Sequence, residues 1–600
     1  MAMNAPAEIQ GIPYDHYCIL HSTAHVMATA IKRLWPDAKF TVGPPISRPY
    51  LGFYYDFDME YRVTIDDLSK ITKEMKAVVK ENLPFTKEVL PKKNALELFG
   101  ELGQDYKLQL IETKASDASE EGVEGDVVSI YRDGEFTDLC KGPHVESTGK
   151  CRHFKLFNVS GAYLWGDSGE KQIQRIYGTA WPTKEALRED VKRHESAAGR
   201  DHRKIGRDLK LFQHHPEAPG SFFWLPRGTI IYNALSQKMR ELLVQNGYLE
   251  VRTPLLYSQS LWETSGHWEK FREKLFQFGE EGKSFSLKPM NCPCHMLIYG
   301  SERHSYRDLP VRYHDQGVLH RREDSGAIEG IRRAYQFCQD DAHIFVRPDQ
   351  VEEEITTLIE LVRRVYGAFG IDFRAHLSTS DWENHPKSWL GTQEMWAQSE
   401  GALAAALKKN NLEYKLDPNE AAFYGPKIDF IIPNVFGVFE HQCATIQLDF
   451  NLPERFNLRY VDADNTEKRP IVVHRAIYGS FERFIASVIE HTAGKFPVWL
   501  APVQVKVLTI SENFRDYGKK VHEHLLRSGI RAELDDRDDK ISFKVRVASK
   551  EKLPYILVVG AREEEEGTVS VRAREKQDQQ ESLPLDAFVK RIVTEAEMSF

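Results

Sequence analysis

Six hundred residues is several times the size of one domain, and 41% apolar with 28% charged residues is an ordinary globular composition. No apolar run reaches bilayer length, the amino terminus lacks a secretory pattern, and seven scattered cysteines make no disulfide framework. A reducing cytoplasm is the expected home; the net charge of −9 argues mildly against nucleic acid as a partner but does not exclude it, because such binding needs only local basic surface.

In chain order, residues 1–16 read as a flexible tail. From His21, HSTAHVMATAIKRLW has helical periodicity, with Ala24, Met27, Ile31, Leu34 and Trp35 on one stripe. GFYYDFD follows as a strand, then a helical pattern from Asp66 to Asn82, so residues 17–195 predict an α+β domain. The Lys/Arg-rich string AGRDHRKIGRDLK predicts a linking helix over 196–214, whose charge fits a solvated face. Over 215–500, strand-like runs (PVRYHDQGVLH, FYGPKIDFIIP, ATIQLDFNL) alternate with a few helices, which predicts a mostly antiparallel sheet with helices packed on it. Residues 501–600 alternate strand and helix as a small, largely parallel α/β domain, with the acidic run Glu563 to Glu566 as a loop.

Three segments of the central block carry chemistry-bearing residues. They are GYLEVRTPLLY with Pro254, HRREDSG with Arg321 and Glu323 followed by Phe337, and GSFERFIASVIE with Arg483 opening a helix. Each is weak alone, and outside this context such arginines are surface ion pairs. In this order they resemble the three signature motifs of class II aminoacyl-tRNA synthetases. The resemblance implies a dimer interface at the first motif. It also implies that Arg321 holds the α-phosphate of ATP, that Arg333 and Arg483 hold the outer phosphates with Mg2+, and that Phe337 and Glu323 bind adenine. The residue types suit the reaction, because carboxylate attack on a phosphate builds charge that forked guanidinium groups stabilise.

KPMNCPCH, QDDAHIF and VVHRAIYGS are similar to segments of threonyl-tRNA synthetases, a resemblance that implies Cys292, His343 and His474 as zinc ligands, one ion per subunit. Three ligands leave zinc an open position. Threonine can fill it through amine and hydroxyl; valine, lacking the hydroxyl, cannot. By the same resemblance Gln339 and Asp341 orient the hydroxyl and lock the tautomer of His343, while Tyr424 and Lys427 contact the amine and carboxylate side. The resemblance also implies that Gln447 and Ser480 line the pocket and that His267 in SGHWEK assists proton transfer. The family string reads NCPGH; here Cys294 replaces the glycine, which alters a position suited to special backbone geometry and offers zinc a rival thiolate.

Chelation cannot exclude serine, since one missing methyl is worth only about 1–3 kcal/mol, so a second, hydrolytic site is expected. His21 and His25 lie one helical turn apart, and Cys140 and His144 repeat that spacing in DLCKGPHV. Alone, these pairs fit surface residues or a structural zinc site. With Tyr55 in GFYYD and Lys107 in DYKLQL they resemble the editing domain of bacterial threonyl-tRNA synthetases. That implies hydrolysis of mischarged serine with Lys107 and the histidines moving protons, and it leaves the metal reading open. It also implies a member without the small ubiquitin-like domain that many carry first.

Residues 501–600 resemble the anticodon-binding domain of the threonyl, prolyl, histidyl and glycyl enzymes, implying that Arg537, Asp538, Glu563 and Arg572 read splayed bases, with Lys540 near phosphate. Asp538 stands where the family has Asn, and an aspartate can only accept. The expected function is therefore attachment of L-threonine to tRNA(Thr) using ATP, with serine editing, in a homodimer away from membranes. The alternatives are another class II synthetase of the same subgroup or a non-catalytic RNA-binding paralogue.

Overall fold

In the computed structural model, which describes residues 6–47, 51–112, 122–166, 171–280, 283–323, 327–433, 440–576 and 579–597, one buried helix organises the amino-terminal unit. The chain divides into two compact units at residues 198–199. Helix α1 (Tyr14–Leu34) is enclosed almost all round, because the small residues Ser22, Thr23, Ala24, Ala28, Thr29 and Ala30 let neighbours approach. It begins before the predicted His21, behind Pro13. Within the expected tail, residues 8–16 are ordered: Glu8–Ile9 pairs with Ile12–Pro13, and the fully buried Ile12 pins this hairpin to the core.

The unit continues through β1 (Gly52–Asp58), α2 (Leu68–Glu81), β2 (Phe85–Pro91), α3 (Asp105–Glu112), β3 (Val127–Asp133), β4 (Phe136–Leu139), β5 (His153–Tyr163) and β6 (Gln172–Trp181). Strands β5, β6 and β1 form one antiparallel sheet; β2, β3 and β4 form another. Helix α2 buries Leu68, Ile71, Met75 and Val78, the i, i+3, i+4 stripe of an amphipathic helix, and stops at Asn82 in the left-handed conformation.

The expected single linking helix over 196–214 is corrected to a short α4 (His202–Asp208), capped by Asp201 and ended before Lys210 at φ +56°. Its basic run is not one solvated face either, since His202 and Ile205 are buried. Next come α5 (Pro226–Gln245), β7 (Leu249–Glu250), α6 (Cys292–Gly300), β8 (Val311–His320), β9 (Gln336–Val346) and α7 (Val351–Ala368). They are followed by β10 (Arg374–Thr379), β11 (Tyr414–Pro418), β12 (Lys427–Pro433), β13 (Glu440–Asp449), β14 (Ile471–Ala476) and α8 (Phe481–Thr492).

The eight strands lie in the order β7-β8-β9-β14-β13-β12-β10-β11, antiparallel except for the two outermost pairs. One face packs Ile344, Ile446 and Val473 against Leu358 and Ile359 of α7 and Ile485 of α8; burying each such side chain stabilises by about 1.5–3 kcal/mol. Alternation then sends His343 and His474 to the opposite face. Register aligns two rungs there: Lys427, Gln447, His474 and His343, and beside them Asp429, Thr445, Ala476 and Asp341.

Asp340 points the other way and holds the turn into α8, accepting from the backbone N–H of Ile477 (2.7 Å) and Tyr478 (2.9 Å) with buried Arg475 beside it (3.5 Å). Asp340→Ala is expected to cost about 3–5 kcal/mol in chemical unfolding, because Arg475 would lose its counter-charge. A shift below about 1 kcal/mol would show that other groups satisfy Arg475.

The carboxy-terminal elements are β15 (Val505–Thr509), α9 (Arg515–Arg527), β16 (Ala532–Asp535), α10 (Ile541–Lys550), β17 (Tyr555–Val559), α11 (Ala561–Glu566), β18 (Thr568–Ala573), β19 (Glu581–Pro584) and α12 (Leu585–Ala596). Strands β16, β15 and β17 are parallel, and β18 and β19 return antiparallel. The acidic run is a helix rather than a loop. Glu563 accepts from the N–H of Gly560 at a helix start, where negative charge is favoured, and Gly567 closes the helix at φ +66°. Among the described residues no helix is long and apolar enough to cross a membrane.

Candidate active site

Helix α6 opens with Pro293 in its first turn and presents Cys292 to the strand face. The thiol of Cys292 and one ring nitrogen each of His343 and His474 lie within 4.8 Å of one another, all buried. His474 Nε2 bonds Asp449 Oδ2 (2.9 Å), a carboxylate itself fixed by the N–H groups of Asn451 (2.7 Å) and Leu452 (3.0 Å). That leaves His474 Nδ1 without a partner among the described residues, and His343 Nε2 likewise has none there. Two partnerless buried nitrogens beside a buried thiol are what a cation would satisfy, and one sulfur with two imidazoles suits zinc.

Cys294 does not compete. Two residues further round the helix, its thiol interacts with Tyr257 and Thr253, and its backbone is ordinary helix. Asp341 accepts from Asn291 Nδ2 (3.1 Å) instead of locking His343, whose Nδ1 meets His295 Nδ1 at 2.7 Å. Burial pushes the Asp341 carboxyl up to about 6.

A cavity of about 430 Å³ lies over these rungs. Arg321, Glu323, Arg333, Phe337 and Arg483 line it, as do Gln339, Asp341, Tyr424, Gln447 and Ser480. Arg321 donates from Nε to Pro289 O (3.1 Å), its guanidinium 5.1 Å from the Phe337 ring centre. Glu323 pairs with Arg333 (3.0 Å). Ser480 caps α8 by accepting from Arg483 N (3.1 Å), and Arg483 Nη1 donates to Gln442 O (2.8 Å). Tyr424 donates to Gln447 Oε1 (2.6 Å) and stacks on His474.

Three expected residues do not line the cavity: Lys427, His267 and His343, the last lying behind Cys292 and His474 in the buried cluster. Lys427 pairs with Asp429 (2.5 Å). His267 is fully buried, between Ser265 Oγ (2.9 Å) and Met290 Sδ (3.1 Å), and burial with the nearby Arg321 pushes it down to about 3.

In the amino-terminal unit, α1, β1, α3 and the segment after β4 bring all six predicted editing residues together. Cys140 Sγ lies 3.4 Å from His21 Nε2 and 3.2 Å from His144 Nε2, and His25 stacks edge-on to His144. The residue missed from sequence is Asp138. Its buried carboxylate bonds Tyr55 Oη, meets Lys107 Nζ at 2.5 Å and lies 3.4 Å from His25 Nε2. The available signal was its position two residues before Cys140, on one side of a strand. Burial opposes its charge, yet Lys107 and His25 hold the carboxyl below the usual range. Burial also pushes His21 down to about 3 and His25 to about 4, so both rings are neutral near pH 7. His21, His25, Cys140 and His144 also lie within 4.8 Å of one another, so a metal there keeps its geometry.

At the carboxy terminus, Arg537 and Asp538 follow β16 and Glu563 follows β17, at the carboxyl end of the parallel strands. Arg537 is tied to Asp535 (2.7 Å). Arg572 stands further along the sheet, opposite Ile556, and lines a separate cavity of about 220 Å³ with Val545 and Ser549.

Residues 275–492 match the tRNA synthetase class II core domain (G, H, P, S and T), 504–595 the anticodon binding domain, and 128–177 the threonyl and alanyl tRNA synthetase second additional domain. The chain is 46% identical to the threonine–tRNA ligase of Caldanaerobacter subterraneus subsp. tengcongensis, over 96% of this chain and 86% of that protein. It is 48% identical to that of Thiobacillus denitrificans, over 96% and 88%. The solved RNA binding domain of threonyl-tRNA synthetase from Cryptosporidium parvum superposes with a TM-score of 0.63 at 42% identity, covering 66% of this chain and 98% of that one. With all three domain families matched in order and nearly half of its residues shared with such full-length relatives, the chain belongs to the threonine–tRNA ligase family.

Proposed function

We propose that this chain activates L-threonine with ATP, passes the threonyl group to the 3′ end of tRNA(Thr), and hydrolyses Ser-tRNA(Thr) in the cytoplasm. The observation that carries the reading is the buried Cys292, His343 and His474 cluster at the edge of a cavity also lined by Arg321 and Arg483. Those three side chains would hold zinc, which when bound supplies an open Lewis-acid position for an amine and a neighbouring hydroxyl. Asp341 is set to accept from the threonine hydroxyl, and the Tyr424–Gln447 pair walls the same pocket.

Arg321 would take charge from the α-phosphate as the carboxylate attacks and pyrophosphate leaves, with Arg483 and Arg333 on the outer phosphates and Mg2+ accompanying ATP. Because Glu323 and Arg333 are paired, ATP must separate them, one turning to adenine and the other to phosphate. For editing, Asp138, Lys107, Tyr55 and neutral His25 would polarise a water and pass its proton. The exposed leucines 249, 255 and 256, on either side of Pro254, support a homodimer built on this segment.

The test is pyrophosphate exchange with threonine, serine and valine on metal-analysed protein. Threonine is expected to exchange, serine less, and valine about 10⁴-fold less. Cys292→Ala is expected to lose zinc and about 10³-fold of exchange. Comparable exchange with valine, or a Cys292→Ala protein that keeps zinc and activity, refutes the chelation reading.

A further inference from the structure

His295 lies one helical turn beyond Cys292 on α6, an i, i+3 pair sharing one face, and its ring is fully buried edge-on against His343. The two Nδ1 atoms are 2.7 Å apart. At that distance one nitrogen carries the shared proton and the other accepts it. The direction decides what His343 can do. If His295 donated, the His343 proton would sit on Nε2, the nitrogen left for Cys292 and His474, and a protonated nitrogen has no lone pair for a cation. If His343 donates, its Nε2 is bare.

We propose that His295 is the positioning residue that accepts the Nδ1–H of His343 and so fixes the tautomer able to bind a divalent cation. The inference rests on the zinc reading above. It is the counterpart of what Asp449 does for His474, where a carboxylate that can only accept forces the choice. No carboxylate serves His343 among the described residues, since the nearest candidate in the string, Asp341, is bonded to Asn291. One turn of α6 thus supplies both a thiol ligand and the acceptor that readies a second ligand, an arrangement written in the chain as Cys-x-x-His. The cost falls on His295, whose own Nε2–H is buried with no partner among the described residues. Retaining that cost makes sense where the acceptor is needed.

The experiment measures zinc affinity by chelator competition on the full chain, for wild type, His295→Ala and His295→Asn. His295→Ala removes the acceptor and is expected to weaken zinc about 10- to 100-fold. His295→Asn places an amide oxygen where Nδ1 sits and is expected to keep most of the affinity. Unchanged affinity in both variants overturns the inference and leaves the zinc reading standing. Equal loss in both overturns it too, because acceptor chemistry would then be irrelevant. Wild-type protein that binds no zinc overturns both readings.

Discussion

Arg321→Ala is expected to slow threonine-dependent pyrophosphate exchange by about 10³-fold while leaving zinc content unchanged. The argument begins from what this arginine lacks. An ordinary surface arginine sits in an ion pair, but among the described residues neither Arg321 nor Arg483 has a carboxylate at ion-pair distance. Arg321 is held instead by one backbone carbonyl and by the rings of Phe271 and Phe337. Burial opposes its charge and lowers its affinity for the proton, a cost that an anion in the cavity would offset. Arg321→Lys is expected to recover only part of the loss, since a point charge cannot bridge two phosphate oxygens. Wild-type exchange rates in Arg321→Ala would mean that the guanidinium is structural.

The second large effect is expected in the other unit. Asp138→Asn should cut hydrolysis of Ser-tRNA(Thr) by about 10²–10⁴-fold and leave threonine exchange untouched. Asp138 meets Lys107, Tyr55 and His25 at once, so neutralising it removes the one negative charge these contacts share. The isosteric amide keeps the fold from meeting a cavity. Because burial holds His21 near 3 and His25 near 4, the wild-type pH profile should lack a rise at the ordinary imidazole value of about 6.5. Unaltered deacylation in Asp138→Asn, or a metal bound at Cys140, would turn the reading toward a structural cluster.

Much of the scaffold was legible before any coordinates. The stripe through Ala24, Met27 and Ile31, the alternating strands around His343 and the strand–helix rhythm after residue 501 are local patterns, and local patterns survive folding. Positions that depend on partners were not legible. Nothing in the spacing of Cys292, His343 and His474 joins them; strand register pairs the histidines and the placement of α6 adds the cysteine, both tertiary properties. His295, Asp138 and Asp449 are invisible for the same reason, each defined by the group it meets. The misread segments have physical causes too. A lone Ile12 was too little to announce an ordered hairpin, and four glutamates read as a loop although a helix start welcomes the first of them.

The facing histidines have one more consequence. His343 and His474 meet on a single rung of β9 and β14, with Val473 and Arg475 next along the strand. A slip of one residue would swap imidazole for an aliphatic or a guanidinium, so retention of the proposed zinc would amount to an inspection stamp on sheet assembly. Chains closed in the wrong register fail it. In the finished protein, the rate at which a chelator strips the proposed zinc would become a clock for the opening of the β9–β14 pair, deaf to fraying at the β10–β11 edge.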